Sequence, residues 1–268
     1  QMYTHLLSGH NTTVQTFLDL GYHYVHGPYS GSAKTQCGGL ESHCIRAPAT
    51  GKLRLNDTQI GILQLTPLFR ILRRALPEII QYDHLFIEDV TADLSKIGKG
   101  PFFLFAHILS PHSPPRYTDD CTRIKKVESS IDVGEGFYDG TQFTTDTRCT
   151  ALAVQVAIDE ILDKRPQDAI IIIQGDHGFK FSLPHEPGRA SLSTTEAVEP
   201  VRRLAILNAM KLPNRCSNYF YPEVSPVNTF RLVFACLTGE QPHLLPDRHF
   251  VRPRLSADRV IEVFPGDP

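Results

Sequence analysis

The stretch Ile170-Ile171-Ile172-Ile173-Gln174-Gly175-Asp176-His177-Gly178 decides the reading of this sequence. A run of β-branched residues predicts a strand buried on both faces, as in the middle of a parallel sheet. Polar groups at the carboxyl end of such a strand stand where open α/β sheets bind ligands. The sequence therefore carries an acid and an imidazole out of a rigid core towards a cleft. Gly178 leaves room for a ligand to approach the backbone.

Outward from that strand the pattern alternates. The segment 147–165 places apolar residues at 152, 154, 156, 158, 161 and 162, which predicts a helix with a broad buried stripe. Phe102-Phe103-Leu104-Phe105 sits inside a second predicted buried strand, 101–109, entered from the Gly-Lys-Gly turn at 98–100. Asn11–Leu20 begins with capping residues and stops before Gly21, as a short helix does. Residues 22–27 alternate like a strand, and 28–58 read as a long Gly-, Ser- and Cys-rich loop. Residues 58–96 read as helix broken near Pro67 and Pro77. Further on come a strand at 202–210, a capped helix at 225–239 ending at glycine and a last strand at 259–264. Strands alternating with helices predict an α/β fold, a mostly parallel central sheet flanked by helices on both faces. No repeat or linker breaks the chain, so residues 1–268 read as one domain.

Composition bounds the function. The 268 residues are 41% hydrophobic and 21% charged, with a net charge of −2, which gives no basic field to attract nucleic acid. No apolar run reaches the roughly 18 residues that a membrane span needs. The opening residues lack the charged and apolar regions of a secretion signal, and the chain reads as an excised fragment. Six cysteines without a CxxC leave two readings, buried thiols or the disulfides of an oxidising compartment. Neighbour pairing (37–44, 121–149, 216–236) is the simplest connectivity. Asn11 and Asn56 head formal glycosylation sequons, which are common by chance.

Asp176 and His177 offer one hard oxygen and one borderline nitrogen, a set suited to Zn²⁺ or Mn²⁺. The plainer reading is a strand-end acid capping the next turn beside a solvated histidine. Context favours the first, because the other predicted buried strand also runs into histidines, in Phe105-Ala106-His107-Ile108-Leu109-Ser110-Pro111-His112. His112, held among prolines just past that strand, is the better site candidate. His107, within the strand, reads first as a core histidine and second as a catalytic one.

These motifs resemble the sulfatase-like branch of the alkaline phosphatase superfamily, and within it the membrane-anchored lipoteichoic acid synthases and lipid phosphoethanolamine transferases. The resemblance rests on "FLFAHILSPHSPP", on "IIIIQGDHG" and on "TRCTALAVQVAIDEILDK" before the second strand, and covers about Phe17 to Phe250. It implies a metal-dependent hydrolase or transferase of phosphate or sulfate esters, lipid- or glycan-linked, acting through a covalent intermediate outside the cytoplasm. Asp176 and His177 match the family's metal ligands for a divalent ion, Zn²⁺ or Mn²⁺ before Ca²⁺ or Mg²⁺. His112 matches the histidine that faces the substrate, and His185 lies near another substrate histidine, with altered spacing. The family's Thr, Ser or formylglycine nucleophile has no counterpart here, and the Cys-x-Pro-Ser-Arg signature is missing. The resemblance places the nucleophile and a membrane tether upstream of Gln1. The alternative is an inactive module that keeps the fold for binding or structure.

Other motifs fail on inspection. "GPYSGSAKT" at 27–35 has Pro28 and Ala33 where a phosphate loop needs glycines. No Gly-x-Ser-x-Gly elbow and no His-Glu-x-x-His occur. Arg70, Arg73 and Arg74 read as a solvated helix face.

Overall fold

Asn11 sets the first helix. Its side-chain oxygen accepts the Val14 amide at 3.0 Å, satisfying one of the donors that every helix start leaves open. Helix α1, Thr12–Asp19, follows, and Gly21, with φ of 81°, turns the chain out of it. The computed structural model describes residues 6, 9–28, 37–47, 62–63, 65–69, 71, 85–112, 115–124, 140–164, 168–178, 204–251 and 260–263. They belong to two compact units, Gln1–Glu160 and Ile161–Pro268.

In the first unit a three-stranded parallel sheet has the order β2-β1-β3. Here β1 is His23–Gly27, β2 is His43–Cys44 and β3 is Phe102–Ala106. The register runs from His23 opposite Phe102 to Gly27 opposite Ala106, and the His107 amide extends it by donating to the Gly27 carbonyl at 2.8 Å. Because successive side chains alternate, Tyr24 and His26 go to one face and Val25 and Gly27 to the other. On the first face Phe17 of α1 stacks on Phe103 with ring centroids 4.1 Å apart, and the Tyr24 ring lies 5.6 Å from that of His26. The second face buries Val25 with Ile45, Leu85 and Val90, the last from helix α2, Ile87–Asp93. Gly27 is needed there: a Cβ at this position would stand 2.9 Å from Leu85 Cδ2 and 3.2 Å from Ala106 Cβ.

The chain beyond β3 is pinned to helix α3, Gly140–Lys164. Asp146 of α3, with no exposed surface, accepts the Arg116 amide at 2.9 Å and the Tyr117 amide at 3.0 Å. The Cys121–Cys149 disulfide fastens the same loop to the next turn of the helix. On its other side, Arg123 donates to Asp89 of α2 at 2.7 Å and lies over the Phe86 ring.

In the second unit β4, Ile171–Gln174, pairs antiparallel with β5, Asn208–Lys211. A 3₁₀ turn, Asn214–Tyr219, leads to helix α4, Pro226–Thr238, which ends at Gly239 in the left-handed conformation. The Cys216–Cys236 disulfide joins the turn to α4 beside Leu212. A second antiparallel pair is formed by β6, His249–Val251, and β7, Ile261–Val263.

The fold is thus mixed α/β, and the three disulfides are the neighbour pairs. Several details depart from the sequence reading. The isoleucine strand lies in an antiparallel pair, not a parallel sheet, among the described residues, and Ile171 to Ile173 are half-buried. Likewise β3 is half-buried, with Phe105 47% exposed, because it pairs on one side only among these residues. The buried side of α3 is narrower than the apolar pattern suggested. Leu152 and Val156 face solvent, and the buried positions are Asp146, Cys149 and Ala157, whose spacing follows one helix face. About half of 58–96, including Pro77, lies outside the described residues; its later part forms α2.

Removing the Asp146 carboxylate leaves two buried amides without an acceptor. Asp146→Ala should lower the unfolding free energy by about 2–4 kcal/mol, measured by denaturant titration, and Asp146→Asn, which keeps one acceptor oxygen, by less. Equal stability of the alanine variant and the parent would show that the loop does not depend on this contact.

Candidate functional site

The carboxyl ends of the parallel strands gather histidines in the first unit. β1 ends at His26 and Gly27, and β3 runs straight into His107. Continuing the alternation along β3 puts His107 on the face of Phe103 and Phe105, the face that also carries His26. His107 is exposed, not the core histidine that the sequence suggested. The chain leaves the strand sooner than the apolar run 101–109 implied, so position 107 falls at the rim. The buried imidazole is His26, only 1% exposed, whose Nδ1 has no hydrogen-bond partner among the described residues. Burial pushes the His26 pKa down; the charge of Glu41 partly opposes this and His107 reinforces it.

His112 lies past β3 in a turn closed by its own amide, which donates to the Leu109 carbonyl at 2.8 Å. Its ring is exposed. Two residues earlier the Ser110 hydroxyl is 2.6 Å from the Thr150 hydroxyl of α3, so the turn is tethered before the histidine.

A disulfide loop borders β1. Cys44 of β2 stands opposite His26 in register, and Cys37 Sγ is 4.0 Å from the His26 carbonyl. The Cys37–Cys44 bond closes a loop in which the Glu41 carboxylate accepts the Gly38 and Gly39 amides at 3.2 and 3.1 Å. The sulfurs and the Glu41 carboxylate lie within 4.8 Å of one another. Joined sulfurs offer no thiolate, so this trio is no metal centre while the bond stands. Glu41 also acts on Tyr24, whose hydroxyl burial and that carboxylate together push up to about 12.

On the outer side of β2, His43 Nε2 lies 2.9 Å from Asp93. Burial pushes the Asp93 carboxyl up, yet Lys96 and His43 together hold it below its ordinary value. This pair braces β2 against the end of α2.

In the second unit Asp176 and His177 follow β4 by one residue, Gly175, whose amide donates to the Leu207 carbonyl at 2.8 Å. The Asp176 side chain is 90% exposed and that of His177 53%. His177 Nε2 lies 3.9 Å from an Asp176 oxygen, and Nδ1 lies 2.9 Å from the Gly178 carbonyl. A carbonyl can only accept, so Nδ1 is the donor in this contact, and Nε2 is the nitrogen turned to the carboxylate. The preceding Gln174 is held on two sides, donating to Asn208 at 3.0 Å and to Thr229 of α4 at 3.1 Å. Next to Thr229, Asn228 is fully buried and donates to Tyr221, Leu245 and Asp247. Asp247 also accepts the Tyr221 hydroxyl at 2.7 Å and the Ser225 amide at 2.8 Å. The start of α4 and the exit of β4 are therefore fixed by one polar network.

His107 and His112 belong to the first unit, Asp176 and His177 to the second, and β3 and β4 to different sheets among the described residues. His185 and the arginines at 70, 73 and 74 lie outside the described residues. No family model, no curated protein and no solved structure matches this chain.

Sequence reasoning missed His26 and Glu41. The signal for His26 was present, since His-Gly closing an alternating strand repeats the logic applied to His107. Glu41 carried none, because its placement depends on the disulfide loop.

Burial pushes the Asp247 carboxyl up, but hydrogen bonds from Ser225, Tyr221 and Asn228 outweigh this and hold it below its ordinary value. A depressed carboxyl stabilises the fold at pH above its unfolded value, about 4, and that contribution disappears as pH falls through the folded value. Thermal unfolding between pH 7 and pH 2 should therefore show a steeper acid loss in the parent than in Asp247→Asn. Parallel curves would remove Asp247 from the network's energetics.

Proposed function

We propose that this chain contributes the metal-binding part of a hydrolase or transferase acting on phosphate or sulfate esters outside the cytoplasm. The observation that carries the reading is the Asp176–His177 pair at the exit of β4. Its ligand atoms are 3.9 Å apart, within the span that two bonds of about 2.0–2.2 Å to one divalent ion allow. The Nδ1 contact with the Gly178 carbonyl is the outer partner that metal-bound histidines use to fix the ring. Three disulfides fit an oxidising, extracytoplasmic compartment, and no described helix is long and apolar enough to cross a membrane. The reading assigns the chain to the sulfatase-like fold, with a larger parallel sheet flanked by helices on both faces.

Asp176 and His177 hold the ion, Zn²⁺ or Mn²⁺ on the chemistry of the pair. When bound, the ion lowers the pKa of a nucleophilic hydroxyl and neutralises charge on the ester. The resemblance names no residue of this chain for that hydroxyl. The hydroxyl attacks phosphorus or sulfur in line, and the ester oxygen leaves. The resemblance gives His112, and in second place His107, the role of protonating that leaving oxygen or binding the non-bridging oxygens. His185 takes part in holding the substrate. Water or a second alcohol then takes the phosphoryl or sulfuryl group, giving hydrolysis or transfer, and a lipid- or glycan-linked ester is the substrate class.

The test uses the protein with its upstream segment, assayed for metal content and for hydrolysis of 4-nitrophenyl phosphate and 4-nitrophenyl sulfate. Asp176→Ala should lose one equivalent of bound metal relative to the parent and reduce turnover at least 100-fold, and His112→Ala should reduce kcat more than it raises KM. Metal-free protein, or activity indifferent to Asp176→Ala, refutes the enzyme and favours a sulfatase-like binding module.

A further inference from the structure

The first unit holds a cluster whose His26 and Glu41 the proposed ester chemistry does not use. His26 is nine-tenths or more buried, with Nδ1 lacking a hydrogen-bond partner among the described residues. Leaving a ring nitrogen in such a place costs stability unless a ligand completes it. The Glu41 carboxylate is brought to the same strand end by the disulfide loop, beside Cys44, which faces His26 in register. His107 stands on the same sheet face, next after Phe105, whose ring stacks 6.0 Å from that of His26. Both Glu41 and His107 act electrostatically on the His26 ring.

Charge decides what such a cluster takes. An anion would meet the Glu41 carboxylate and an imidazole that burial keeps neutral, so neither group favours it. A divalent cation gains from both, because metal ligation requires the neutral imidazole and an ionised carboxylate. Two imidazoles and one carboxylate are a ligand set that zinc uses where a fourth position stays open. In the structure the three ligand atoms are not drawn to one point, since the only trio within 4.8 Å among the described residues is Cys37, Glu41 and Cys44. For the three to share one ion, Glu41 has to turn from the Gly38 and Gly39 amides and the exposed His107 has to rotate towards the ring of His26. His26 needs no such movement, being fixed by the ladder on both sides of β1.

We propose that His26, Glu41 and His107 form a zinc-class cation site at the carboxyl end of the parallel sheet, with the Cys37–Cys44 disulfide holding Glu41 in place. The site needs the sulfurs oxidised, so it suits the compartment in which the three disulfides form. It goes beyond the ester chemistry and lies wholly within the first unit.

The experiment counts zinc bound to the full chain, disulfides intact and no reductant present, by equilibrium dialysis and elemental analysis. An Asp176→Ala background removes the pair at β4, so failure of that assignment and failure of this one are distinguishable. The background protein should still bind one Zn²⁺ per chain, and adding His26→Gln or Glu41→Gln should weaken this at least about tenfold. As a check independent of variant folding, Zn²⁺ added to the background protein should shift the His26 and His107 imidazole signals in NMR spectra. Unchanged binding in both variants, or imidazole signals indifferent to zinc, overturns the proposal. So does zinc uptake that requires reduction and vanishes in Cys37→Ser, which would assign the metal to the thiolates instead.

Discussion

The parallel ladder between β1 and β3 is the constraint on which the first unit depends. It fixes His26 and His107 on one sheet face by register alone, before any side chain makes a contact. A slip of one residue between the two strands would put the imidazoles on opposite faces of the sheet and break the match of Tyr24 with Phe103. The slip is opposed from two directions. Phe17 stacks on Phe103 on one side, and on the other Gly27 packs against Leu85 and Ala106 with no room for a Cβ. The ladder thus converts an apolar pattern into an ordered row of aromatic rings that ends in two histidines.

The second unit solves the same positioning problem without a parallel sheet. There the strand exit is held by polar contacts, running from Gln174 through Thr229 to the Asn228–Asp247 hub. The Gln174, Asn228 and Tyr221 side-chain donors and the Ser225 amide each meet an oxygen, which favours rigidity in a buried polar network, while the Ser225 hydroxyl has no partner among the described residues. The Asp176 and His177 side chains themselves are exposed, so their geometry is set by the backbone beneath them and by the Gly178 carbonyl. A carboxylate that exposed suffers little desolvation, and holding it near a histidine needs no compensating charge.

Much of this was legible in the sequence. Asn11 and Gly21 bracket α1 as capping rules require, Gly239 ends α4, and the simplest cysteine pairing is the one formed. The strand exit at 174 was also legible, because the apolar run stops where Gln174 and Gly175 begin, whereas the run through Leu109 hid the exit at 106. Other features were not. Four isoleucines in a row look the same whether their strand pairs parallel or antiparallel, since pairing direction is set by the partner at 208–211 and not by composition. The two-residue β2 is too short to leave a period, and it exists because the Ser42 and Ile45 amides donate to the Tyr24 and His26 carbonyls. Glu41 is invisible for the same reason: a loop acid gains its position from a covalent bond between the residues four before and three after it. His107, read first as a core histidine, is exposed because the rim of the sheet falls there, and the buried imidazole is His26, on the central strand and covered from both sides.

The account rests on imidazole and carboxylate groups at strand exits taking up a divalent cation while the cysteines remain paired. Zinc K-edge absorption spectroscopy on the non-reduced chain reads that ligand shell directly. The account predicts nitrogen and oxygen neighbours alone, at about 2.0–2.2 Å, with the outer-shell scattering of imidazole rings. A shell containing sulfur at about 2.3 Å, or a spectrum of hydrated zinc without imidazole features, would contradict it.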